Sequence, residues 1–138
     1  MIRVLRPGGI ITFSTWPPEL LIGRMFILLS DYAPPLEGTA PLSAWGDPGV
    51  VRERLEPYAS EFSFDRACMR FPALSPVHMR LFLEANAGPV TKAVEQLAGD
   101  TTALACFRAK LEQLIGDYFD DQANVVRQDF LMTRGVLR

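Results

Sequence analysis

The side chains that could do chemistry are few and lie far apart in the chain. His78 is the single histidine. No cysteine or second histidine stands near it, and a metal centre needs three or four ligands, so a solvent-facing or helix-capping histidine is the better reading. Ser14 lacks the G-x-S-x-G elbow that lifts a hydrolase nucleophile out of its sheet. Asp117, Asp120 and Asp121 end an amphipathic segment, where a solvated helix terminus accounts for them better than a catalytic pair. Cys68 and Cys106 lack CxxC spacing and read as buried thiols of a reducing compartment, with a disulfide between them as the alternative. Gly8-Gly9 is the only adjacent pair among ten glycines. It precedes an apolar run, whereas a cofactor cradle needs glycines that follow a strand and open a helix. A turn is therefore the expected role of Gly8-Gly9, and no residue is assigned a catalytic part.

The elements that would position these residues follow from local rules. Pro7 disfavours the helical region for Arg6 and has no N–H to give, so a helical turn carrying Val4 and Leu5 must stop there. Gly8 and Gly9 can take the positive φ that a reversal into a strand needs. Ile10 to Phe13 is β-branched and aromatic with little alternation, which suits a strand covered on both faces, as in parallel sheets. So short an opening helix does not form alone, and the chain therefore reads as starting in the middle of a fold.

Pro17 to Tyr32 is the most apolar helix candidate and too short to span a bilayer, which needs about 20 apolar residues. Two readings compete for it: a helix packed on a sheet, or a lid over an apolar ligand, since ligands of open α/β sheets sit beyond the strand ends. Pro34-Pro35 through Pro41 reads as a loop. Asp47 with Pro48 predicts a capped helix to about Tyr58. Glu61 to Ala73 has strand character with a slip of parity between Phe62/Phe64 and Ala67/Met69/Phe71, for which a bulge near Asp65-Arg66 is expected. Ser75-Pro76 opens a helix through Asn86 closed by Gly88. A short helix follows over Pro89 to Leu97, and Asp100 caps a longer one bearing Leu104, Phe107, Leu111, Leu114, Ile115 and Tyr118.

Arg3-Val4-Leu5-Arg6-Pro7-Gly8-Gly9 followed by Ile10-Ile11-Thr12-Phe13-Ser14-Thr15-Trp16 resembles the post-motif segment of class I S-adenosylmethionine-dependent methyltransferases. The branch it resembles is the small-molecule one that includes the ubiquinone and menaquinone methylases. The resemblance implies a Rossmann-like α/β sheet in the order 3-2-1-4-5-7-6, of which this chain would hold strands 5, 7 and 6. Phe62 to Phe71 would be the sixth and Asn124 to Arg134 the seventh. It covers the whole chain loosely, and its diagnostic part is the first sixteen residues. The family's glycine-rich loop, first strand and ribose-holding acid have no counterpart here. The expected organisation is one domain over residues 1–138, the acceptor-side half of such an enzyme, with a helical insertion at 75–122.

On that resemblance the acceptor pocket would draw on Thr15, Trp16, Arg24, Tyr32 and Trp45. Methyl transfer asks little covalent help of the protein, because alignment of nucleophile and methyl carbon supplies much of the acceleration. Trp16 and Trp45 serve a core equally well. S-adenosylmethionine is the cofactor that the family implies, with binding by this chain alone not expected. A non-catalytic assembly module is the second reading: without its neighbour, the strand at Ile10-Phe13 would offer an apolar edge for a homodimer or a partner chain. A remnant of a nucleotide-dependent oxidoreductase is a third, by fold analogy.

Composition bounds these readings. The chain has 138 residues, 49% of them hydrophobic, and a net charge of −2, enough for one sizeable core. Mixed charges without a basic stripe argue against nucleic acid. No membrane association is expected, and no signal-peptide pattern leads the sequence, so the cytoplasm is the expected location.

Overall fold

A computed structural model describes residues 2–32, 34, 38 and 41–138. Most of the loop expected between Pro34 and Pro41 falls outside them. The opening turn is a 3-10 turn at Ile2–Val4, after which Gly8, at φ 76°, reverses the chain into strand β1, Ile10–Thr15. Strand β2 spans Ala59–Pro72, the two-residue β3 spans Phe119–Asp120, and β4 spans Val125–Leu137. The sheet runs β1-β4-β2, with β3 also paired to β4. Both β1 and β2 are antiparallel to β4, hence parallel to each other. The fold is α/β: among the described residues, an open antiparallel sheet with five α-helices.

Two expectations for the strands need correction. β1 is not covered on both faces: Ile11, Phe13 and Thr15 point to the covered side, whereas Ile10, Thr12 and Ser14 face out, with Ile10 53% exposed. An antiparallel strand can leave one face in solvent, which a parallel one rarely does. The bulge in β2 lies between Ser60 and Ser63, where Glu61 takes φ 51°, and not at Asp65-Arg66.

The apparent slip of parity has a different cause. Phe64 lies opposite Thr133 on one face of the sheet and Phe71 opposite Val126 on the other. Along β4 burial passes from Val126 and Gln128 to Leu131, Thr133, Gly135 and Leu137, that is, from even to odd residues. Long twisted strands can cover opposite faces at their two ends, and β2 follows β4 in doing so.

Helix α1 spans Leu21–Ser30; Pro17 and Pro18 lie in a separate turn before it, closed by the Leu20 N–H donating to the Pro17 carbonyl. The side chain of Asp47 accepts from the N–H groups of Gly49 and Val50 and so caps α2, Pro48–Leu55. Ser75 caps α3, Pro76–Asn86, in the same way, and Asp100 caps α5, Thr101–Gly116. Gly88 does not close α3 but opens α4, Gly88–Leu97, since Ala87 is extended and ends α3 itself. Helices α3 to α5 stand between β2 and β4 in the chain. With α1 they bury the main core around Met25, Met79, Phe107, Leu111, Ile115 and Val126. A smaller set, Ile11, Val51, Leu55, Ala59, Leu131 and Leu137, is buried outside that cluster.

Helix α3 buries charge beside its apolar Met79 and Leu83, unlike an ordinary surface helix. Its charged Arg80 and Glu84 are turned inward, their side chains only 11% and 12% exposed. Leu81 and Phe82 face out at 52% and 41%. Arg80 reaches both Glu84 and Glu112, and Arg108 grips Glu84 with two bonds of 2.9 and 2.7 Å. Bidentate pairing of this kind is what makes burial of such charges tolerable. Cys68 and Cys106 are both exposed, against the expectation of buried thiols.

Candidate functional site

The five residues expected to share a pocket are divided between the two faces of the sheet. Trp16 meets Phe130 edge to face at 6.4 Å and packs against the helical core. Arg24 and Tyr32 belong to that side too. Arg24 lies 3.1 Å from Asp117 and 3.4 Å from the Tyr118 hydroxyl, and the Tyr118 bond is the foremost reason that its pKa is raised. Tyr32 stands edge-on to Phe107 at 5.1 Å. Thr15 and Trp45 lie on the opposite side: Trp45 meets Phe13 edge to face at 6.2 Å, and Thr15 follows Phe13 on the same face of β1.

A groove lies on each side. The first, about 500 Å³, runs between α1 and α5 with Arg24, Asp31, Lys110 and Asp117 around a floor of Leu28 and Leu114. Its charges balance within it. The second, about 510 Å³, is walled by Ile2, Ile11, Phe13, Trp45, Leu55 and Tyr58. Arg3 is a charged part of its wall, and Arg54 places its guanidinium 4.8 Å from the centre of the Trp45 ring. Small-molecule sites have this volume and this largely apolar lining with a few polar tips, so the groove beside Trp45 is the stronger candidate.

Close backbone contacts hold that groove in place. A Cβ on Gly46 would stand 2.0 Å from the Trp16 carbonyl oxygen, and one on Gly23 would stand 2.2 Å from that of Pro17. The 3-10 turn Leu42–Gly46 and the start of α1 thus press on the same dipeptide at the end of β1. Sequence reasoning found Trp45 but missed Ile2, Arg3, Leu55, Tyr58 and Arg54. Stacking of arginine on tryptophan nine residues away leaves no local signature; only the i, i+4 pairing of Val51 with Leu55 hinted at the buried face of α2.

The residues present do not fit S-adenosylmethionine. The Gly8 N–H donates to Leu137 and the Gly9 N–H to Arg6, both at 2.9 Å, while the Gly9 carbonyl accepts from Leu137. The pair is committed to the turn and to β4. The strand-to-helix connections β1–α1 and β2–α3 contain no glycine, so neither brings a bare backbone up to a ligand as a cofactor loop does.

No family model matches the chain. An uncharacterized protein of Mycobacterium tuberculosis (strain ATCC 25618 / H37Rv) is 27% identical over 136 residues, which cover 96% of this chain and 48% of that protein. A second from the same strain is 25% identical over 134 residues, with the same coverage of 96% and 48%. An uncharacterized protein of Mycobacterium bovis matches at 27% over 136 residues, again 96% of this chain and 48% of its own length. The chain spans about half the length of these curated relatives. No described helix is long and apolar enough to cross a membrane.

Proposed function

We propose that the chain is the acceptor-side, C-terminal portion of an S-adenosylmethionine-dependent methyltransferase acting on a small, mainly apolar molecule, with the donor-binding portion lying outside these residues. The observation that carries this reading is the sheet order. The order β1-β4-β2 is the order implied for strands 5, 7 and 6. Among the described residues β1 pairs only with β4, which leaves its outer edge where a fourth strand of such a sheet would lie. The absence of a fitting cradle for the sulfonium nucleoside among the described residues agrees with that division. Within this reading the chain contributes binding and orientation of the acceptor, and no residue here is assigned a step at the methyl group.

Isothermal titration of the isolated chain with S-adenosylmethionine tests the proposal. Absence of binding is expected, and tight 1:1 binding would overturn it. The DNA upstream of Met1 gives an independent check: a strand-plus-glycine-loop coding segment, in frame or frameshifted, is expected there.

The open edge of β1 also favours a second reading, a non-catalytic assembly module that pairs through residues 10–15 with another copy or with a donor-binding chain. Light scattering after size exclusion separates the two. A stable association without affinity for S-adenosylmethionine supports the module, and a monomer that resists concentration counts against it.

A further inference from the structure

The geometry points to the groove beside Trp45 as a binding site for a small apolar molecule bearing one carboxylate-like anionic group. Binding there does not depend on methyl transfer. The groove's volume of about 510 Å³ suits a ligand of roughly drug size or smaller. Phe13, Trp45 and Leu55 supply apolar wall, and among the described residues no acidic side chain lines it.

Its charge is one-sided. Arg3 forms part of the wall and Arg54 lies on the Trp45 ring at 4.8 Å. Among the described residues neither guanidinium makes an ion pair. The α1–α5 groove, of similar size, sets Asp31 and Asp117 against its cations and has no such surplus. An arginine placed over an aromatic face can still offer N–H groups to a carboxylate. The complementary occupant is therefore a free fatty or aromatic acid, with its hydrocarbon against Phe13 and Leu55 and its anion toward Arg3 and Arg54.

Calorimetric titration of the chain with octanoate, 1-octanol and octylamine tests this, with chain length held constant and charge varied. Saturable 1:1 binding of octanoate is expected, about tenfold tighter than octanol, the usual scale for one charge-assisted contact, with octylamine weakest. Arg3→Gln and Arg54→Gln should each weaken octanoate severalfold and leave octanol unchanged; Lys110→Gln, in the other groove, should change neither. Both arginines are on or near the surface, so the variants should keep the parent's thermal melting curve. Four outcomes would overturn the proposal: no octanoate binding at millimolar concentration; equal affinity for the three probes; sensitivity to Lys110→Gln in place of Arg3→Gln; or octanoate affinity that falls as protein concentration rises, which would mean that a second copy fills the groove.

Discussion

Gly46 lies directly against the Trp16 carbonyl: a Cβ there would stand 2.0 Å from the oxygen. The end of β1 and the turn that carries Trp45 are thereby fixed to one another through main chain. Gly46→Ala must push them apart, and overpacking of this kind costs about 1–3 kcal/mol or more. A lowered urea midpoint together with weakened octanoate binding is the expected result; unchanged stability would mean that the contact is not as close as described.

Thr133 is fully buried, and among the described residues its hydroxyl has no hydrogen-bond partner. An orphaned buried hydroxyl carries a desolvation cost of about 1–3 kcal/mol. Thr133→Val should therefore leave stability unchanged or raise it. Its neighbour on the same face, Leu131, is 2% exposed, and Leu131→Ala should lose about 2–5 kcal/mol. Chemical denaturation of the two variants checks the contrast.

Burial would push the Glu84 carboxyl up, but its bonds to Arg108 and Arg80 outweigh that and hold it below the ordinary value of 4.5. A carboxylate with a depressed folded pKa stabilises fully above its unfolded pKa and ceases to do so as pH falls through the folded one. The unfolding midpoint should thus decline below about pH 4.5, the reference carboxylate range, and Glu84→Gln should remove that part of the decline. At neutral pH the same variant should cost about 1–3 kcal/mol, because it weakens the grip of Arg108 and leaves Arg80 with Glu112 as its remaining carboxylate.

Arg24 and Asp117 are 44% and 48% exposed. An exposed ion pair contributes little, so Arg24→Ala should shift stability by no more than about 0.5 kcal/mol. A thermal melt checks it, and a large loss would show that Arg24 is structural and not a solvated rim residue of its groove.

Ile10 presents an exposed side chain on a strand with one unpaired edge. Lysine on an edge strand blocks pairing. Ile10→Lys should abolish any self-association seen by light scattering if the assembly reading is right, and should leave the melting temperature unchanged.

Much of the fold is legible in the sequence because its signals are local. Asp47-Pro48, Ser75-Pro76 and Asp100 each mark a helix start that the structure repeats with the predicted side-chain caps. Pro7-Gly8-Gly9 gives the turn into β1. What the sequence hides is set by partners far along the chain. The change of covered face in β2 looks like a bulge because Phe64 and Phe71 have different neighbours, α2 and its preceding turn at one end and the helical layer at the other. The inward charges of α3 are invisible until α5 brings Arg108 and Glu112 alongside. The expected pocket fails as a unit for a similar reason. Thr15 and Trp16 are adjacent in sequence, and adjacency on a strand sends side chains to opposite faces.

The handover of burial along β4, from Val126 and Gln128 to Leu131 and beyond, means that the chain has two cores strung on one pair of long strands. The larger, under the helices, contains Phe107, Leu111 and Ile115, all at 0% exposure; the smaller holds Val51 and Leu137. Amide protons of α2 and β1 should consequently exchange with deuterium well before those of α3 and α5.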